Sequence, residues 1–190
     1  MPSIVSTQRI AVPVLLFTAL IALFLAAAPA AHAASAAEID REVDQTLQAF
    51  QKINGAKAFL GIAKGVLVFP KVYKAGIGVG GEYGEGALRV GGKTVDYYST
   101  AAASFGLQLG AQAKSIVILF TEEAALKKFR ESEGWKVGVD GSVALVDIGV
   151  GKAVDTTNIK DPVIGFIFGQ KGLMYNLTLE GSKFTKLDKK

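Results

Sequence analysis

The sequence predicts an α+β fold: a curled or closed antiparallel sheet of about eight short strands, barrel- or sandwich-like, covered by two N-terminal helices and interrupted by a third. Three observations carry this expectation. Apolar residues recur every three or four positions only over residues 38–64 and 121–132. Elsewhere they alternate with polar residues or run in short apolar blocks. All 22 glycines fall between residues 34 and 190, where they punctuate those blocks.

Residues 1–33 read as a secretory leader. Arg9 precedes an apolar run from Ile10 to Ala28, and Ala31-His32-Ala33 spells a signal-peptidase site. Cleavage there is expected to leave residues 34–190 as one domain carrying a net charge of about +3. That balance is too mild for a nucleic-acid binder, which normally shows a dense basic face. The chain has no cysteine, which excludes a lipid-modified N-terminal cysteine and leaves stability to core packing alone. Its one histidine, His32, lies in the cleavage site. The expected mature chain therefore lacks imidazole and thiol, and with them the commonest general base, zinc ligands and nucleophile.

Each element has its own signal. Ser35 and Glu38 have capping-box spacing, and Ile39, Val43, Leu47, Phe50 and Ile53 form the stripe of a first helix that Asn54-Gly55 would stop. A shorter helix over residues 56–64 offers Phe59, Leu60 and Ala63. Val66 to Phe69, closed by Pro70, then reads as a buried strand, followed by a glycine-bent strand through Ile77, Val79 and Tyr83. Gly91-Gly92 is a two-residue turn signal between Ala87–Val90 and Thr94–Tyr98. Phe105, Leu107 and Leu109 alternate, and the apolar run after Ser115 to Phe120 reads as central. Thr121 is the expected cap of a helix presenting Ala125, Leu126 and Phe129, ended by Gly134. Strands follow at 135–139, 142–146, 163–168, 173–179 and 184–187, with turns at Asp140-Gly141 and Lys171-Gly172.

Several motifs fail on context. Gly76, Gly78 and Gly81 match G-x-G-x-x-G, but the glycines run on into Glu82-Tyr83-Gly84-Glu85-Gly86 with no helix to meet a pyrophosphate. Glu82 and Glu85, three apart in an extended strand, point to opposite faces and read as solvated carboxylates rather than an acid pair. Neither Ser99 nor Ser104, beside Lys93 or Lys114, sits in a nucleophile elbow. No catalytic residue, metal or cofactor is assigned.

The basic residues are more informative. Lys52, Lys57, Lys64, Lys71 and Lys74 recur around the helix-to-strand junction, interleaved with Phe50, Phe59, Leu60 and Tyr73. Lysines beside exposed apolar groups attract an anionic bilayer surface, at about 1 kcal/mol per lysine. The competing reading is solvated lysines over a buried aromatic core.

The run Phe69-Pro70-Lys71-Val72-Tyr73-Lys74-Ala75-Gly76-Ile77-Gly78-Val79-Gly80-Gly81 resembles the opening signature of the SYLF family. The likeness continues through Tyr97-Tyr98-Ser99, residues 104–112, residues 135–147, Phe168-Gly169-Gln170-Lys171-Gly172-Leu173 and Leu179-Glu180-Gly181-Ser182, and so covers residues 38–187. The resemblance implies a lipid-binding module without catalytic residues. Eukaryotic members are associated with phosphoinositide membranes, and some bind actin. Their membrane contact lies in a basic, amphipathic N-terminal part, here Ile39 to Lys74. An exported bacterial member would meet neither actin nor phosphoinositides.

The expectation is thus a non-enzymatic protein of the periplasm or cell envelope that binds lipid at a membrane surface. Lys57, Lys64, Lys71 and Lys74 would attract anionic headgroups, and Phe59 or Tyr73 would insert shallowly. The alternative is a structural or protein-interaction module with an envelope protein partner, acting through exposed strand edges.

Overall fold

The computed structural model describes residues 34–147, 161–172 and 178–189, and Ala34–Lys190 is one compact unit. The leader and its cleavage site lie outside the described residues, as do the Asp155–Lys160 part of the polar connection and most of the expected strand at 173–179.

The chain opens with α1 (Ala36–Phe50). Ser35 caps it, its hydroxyl accepting from the Glu38 amide at 3.2 Å. Ile39, Val43 and Phe50 are buried along one stripe, as their spacing predicts. Gly55, in the left-handed region at φ 85°, precedes the second helix α2 (Ala56–Ile62) rather than ending the first.

Two very long strands follow, β1 (Gly65–Val90) and β2 (Lys93–Phe120), paired antiparallel along their whole length. The short strands expected between residues 66 and 120 are segments of this one ribbon. Gly91 and Gly92 make its turn with φ of 58° and 80°, the conformation a two-residue hairpin loop demands. Pro70 does not close a strand. It sits where the register shifts between Phe69 and Val72, a bulge in which its missing N–H breaks no ladder bond, and Ser115 Oγ donates to its carbonyl at 2.8 Å.

The ribbon folds back on itself. Lys114 pairs in register with the neighbourhood of Val72, and Glu82 with Ala102. On a straight strand Ala102 and Lys114 would be about 40 Å apart, yet Lys114 Nζ and Glu82 Oε2 are 2.8 Å apart. Glycine makes the fold possible. A Cβ on Gly76 would lie 2.4 Å from Gly80 Cα, and one on Gly86 would lie 1.9 Å from the Val68 carbonyl oxygen. The glycine-rich stretch is therefore a bend that lets two halves of one strand approach backbone to backbone.

The two halves of β2 carry different neighbours. Residues 97–101 pair with β6 (Lys183–Leu187), which pairs with β3 (Gly134–Lys136). Residues 112–120 pair with β5 (Val163–Gly172), which pairs with β4 (Ala144–Asp147). Among the described residues these six strands form one curled sheet. One pair departs from the antiparallel expectation: β4 runs parallel to β5. A parallel pair needs a crossover of about a dozen residues, which the connection over 148–162 is long enough to supply. Lys171-Gly172 is the end of β5 rather than a turn.

Two cores result. Leu67, Phe69, Leu88, Tyr98, Ile116, Ile118 and Phe120 point inward, closed by Trp135, Phe184 and the helix α3 (Glu123–Glu131) through Leu126 and Phe129. The intervening residues Val68, Val117 and Leu119, with Ile164 and Phe166, face outward beneath α1 and α2. The two helices thus cover a sheet face, not an open end or edge. Burial on both faces explains why Val66–Phe69 and Ile116–Phe120 are unbroken apolar runs. Thr121 does not cap α3; its hydroxyl donates to the Asp161 carbonyl at 3.0 Å, and Glu122 occupies the cap position.

Tyr98 is 1% exposed, and its hydroxyl has no hydrogen-bond partner among the described residues. Burial, reinforced by Asp96 and opposed by Arg130, pushes its pKa up to about 12. Burial and the bond to Glu85 push Tyr83 to about 12 as well. A folded pKa above the unfolded value of about 10 stabilises the fold below pH 10, and that contribution is lost as pH rises toward 12. We expect alkaline titration to show tyrosinate absorbance from Tyr98 arising together with unfolding. Full ionisation near pH 10 with an unchanged circular-dichroism spectrum would contradict this.

Candidate functional site

The lysine-rich junction separates in three dimensions. Lys57 and Lys64 are exposed, one in the first turn of α2 and one just past its end, and Lys52 is exposed in the turn before it. Lys71 is exposed, but its ammonium is bonded to Glu42 of α1. That hydrogen bond raises the Lys71 pKa above its ordinary value. Lys74 is only 5% exposed, on the inner face of the ribbon. Phe59 is fully buried, edge to face with Phe166 at a centroid distance of 5.2 Å. Tyr73 is 60% exposed on the outer face of β1.

Two of the expected lipid-binding residues are therefore corrected. Lys74 cannot reach a headgroup, because strand alternation that turns Tyr73 outward turns Lys74 inward. Phe59 cannot insert into a bilayer, because it is core. Lys71 is an anchor for α1. Lys57, Lys64 and Tyr73 remain on the surface.

The structure adds a residue that sequence reading missed. Ile62 is 48% exposed at the end of α2, while Ala56 and Phe59 of the same helix are buried. Its outward face carries Lys57, Ala58, Gly61 and Ile62, all exposed, with Lys64 next to it. This is a small apolar strip flanked by ammonium groups. Helical spacing does not single it out, because Ile62 follows Phe59 by three residues and the two share neighbouring faces; only the sheet beneath α2 separates the buried Phe59 from the exposed Ile62.

The acids of α1 have a different task. Asp40 accepts from Thr94 Oγ1 at 2.6 Å and from Tyr97 OH at 2.9 Å, and Asp44 pairs with Arg89 at 2.7 Å. Burial first, and then the bond to Asp40, raises the Tyr97 pKa. Together with Glu42–Lys71, these contacts fasten α1 to the ribbon and so fix where α2 sits.

Between α1, α2 and the Gly91–Gly92 turn lies a cleft of about 310 Å³. Leu47, Leu60, Ala63 and Val66 line it, with Asp44, Lys64 and Arg89 also on its wall. Lys64 belongs both to this cleft and to the surface beside α2.

Glu82 and Glu85 do not converge, as their spacing predicts, but neither is simply solvated. Glu82 pairs with Lys114 inside the ribbon. Glu85 accepts from Tyr83 OH at 2.8 Å and from Lys189 Nζ at 2.6 Å. Among the described residues no group of three or more metal-ligating side chains could hold a metal ion, and no helix is long and apolar enough to cross a membrane.

A comparison with family models matches residues 101–190 to Ysc84, described as Las17-binding protein actin regulator. The matched segment spans most of β2, α3 and β3 to β6, whereas α1, α2 and β1 precede it. No curated protein matches the chain. Residues 101–190 are thus similar to the Ysc84 (SYLF) family, a family of binding domains.

Proposed function

We propose that this protein docks without catalysis on an anionic lipid surface through the outward face of α2. The observation that carries the reading is the exposed Ile62 set between exposed Lys57 and Lys64. Lysines attract the surface over about a Debye length, and a half-exposed isoleucine then gains by shallow insertion. The family, read as lipid- and protein-binding, agrees with this role. We propose further that residues 1–33 export the chain, so that the bilayer met is a face of the periplasm or cell envelope.

Flotation with vesicles tests the reading. Wild type is expected to float with anionic vesicles and not with vesicles of phosphatidylcholine alone, less so as salt rises. The variant K57Q/K64Q is expected to partition roughly thirtyfold less, since two lysines contribute about 2 kcal/mol. Unchanged flotation of that variant would remove the patch from the account. Salt-insensitive association would favour strand-edge pairing with an envelope protein instead.

A further inference from the structure

The geometry points to the cleft between α1, α2 and the Gly91–Gly92 turn as a site for one phospholipid head that carries both a phosphate and a primary ammonium. The inference rests on the lipid-surface reading above and names the headgroup that the same region selects.

The cleft offers both signs of charge at close quarters. Asp44 brings a carboxylate, 59% exposed at its side chain, whose Oδ1 accepts from Arg89 at 2.7 Å. Lys64 and Arg89 bring cations. A ligand that is only anionic meets Asp44, and one that is only cationic meets Lys64 and Arg89. A head with an ammonium a few ångströms from a phosphate satisfies both, the ammonium on Asp44 and the phosphate toward Lys64. Arg89 is already fixed by Asp44 and by the carbonyls of Asp40 and Gly92 at 3.3 and 3.4 Å, so it holds Asp44 in place.

The kind of ammonium is also readable. Quaternary ammonium groups are recognised by aromatic faces, and no lining residue of this cleft is aromatic. The side-chain acceptors present, the Asp44 carboxylate and the Gln51 amide oxygen, take hydrogen bonds that an N–H-bearing ammonium can donate and a quaternary one cannot. Size fits the same occupant. About 310 Å³ is at the lower end for a ligand site and accommodates a head and its first methylenes against Leu47, Leu60 and Ala63. The remaining acyl chain stays in the bilayer on which α2 rests.

The test is titration of the protein, followed by NMR, with dihexanoyl phospholipids kept below their micelle threshold and bearing ethanolamine, choline or glycerol heads. The ethanolamine lipid is expected to bind at least tenfold more tightly than the other two, with shifts at Asp44, Ala63 and Lys64. D44N is expected to reduce the ethanolamine lipid to the level of the choline lipid. A63F, which fills the cleft, is expected to abolish binding of all three while leaving the circular-dichroism spectrum unchanged. Equal binding of the three heads by wild type, or an ethanolamine preference that survives D44N, overturns the proposal. Anionic-vesicle flotation of D44N separates the two readings. Retained flotation with lost head preference supports the cleft. Lost flotation of wild type, with the ethanolamine preference intact, refutes the surface patch and leaves the cleft standing.

Discussion

Replacing Lys114 with methionine is expected to lower folding stability by about 3–5 kcal/mol, the loss typical of leaving one member of a buried ion pair alone. The Lys114 and Glu82 side chains are 1% and 6% exposed, and their atoms meet at 2.8 Å. Among the described residues Glu82 Oε1 has no hydrogen-bond partner, so the pair already holds an incompletely compensated carboxylate. Without the lysine, that buried carboxylate loses the cation it pairs with. The double variant E82L/K114M should recover most of the loss, because an apolar pair of similar volume removes both desolvation penalties. Urea denaturation midpoints measure each step. Equal destabilisation of single and double variants would show that packing, not charge, holds the fold-back.

Gly86→Ala is expected to prevent the ribbon from closing, with a loss of more than about 3 kcal/mol. The added Cβ would sit 1.9 Å from the Val68 carbonyl oxygen and 2.8 Å from Phe69 Cδ1, and the first of these is backbone that cannot swing away. Gly81→Ala is the matched control: its Cβ meets nothing within 4 Å, so a change within about 0.5 kcal/mol is expected. Thermal melts of the two variants side by side separate close approach from a general need for glycine in this strand. If G86A melts with wild type, the close packing of the two strand halves is wrong.

Both experiments concern the feature hardest to see in the sequence. The helices were legible because the Ile39, Val43, Phe50 stripe and the Ser35 cap are local signals, and the Gly91–Gly92 turn was legible because its conformation admits little but glycine. Continuity of the long strands was not, because the glycines that let the ribbon bend also look like breaks between short strands. The fold-back inverts the ordinary inside-outside pattern. Lys74, Glu82, Gln112 and Lys114 face inward, and Tyr73 and Tyr83 face out at 60% and 51% exposure. Alternation fixes which residues share a face, but not which face becomes interior; only the fold-back decides that.

The candidate surface was legible in the same partial way. Lys57 and Lys64 are exposed on the side of α2 turned away from the sheet, as charged residues on a short surface helix are expected to be. A helix of 7 residues has too few apolar positions to declare its buried side, so the sequence alone does not place Phe59 in the core or Ile62 at the surface. The sheet beneath it declares that side, through Phe166 against Phe59. The parallel direction of β4 and β5 is written in neither strand; the connection over 148–162 is merely long enough to permit it.

If the outward face of α2 touches the bilayer, residue 62 enters it, and the absence of cysteine permits this to be measured directly. An environment-sensitive fluorophore attached to I62C, and separately to V139C, reports insertion on vesicles that carry a lipid-borne quencher. Val139 is the control because it is 72% exposed but lies in the turn after β3, away from α2 in sequence. Docking through α2 is expected to give a blue shift and quenching at residue 62 on anionic vesicles, with residue 139 unchanged. Quenching at residue 139 with none at residue 62 would contradict it.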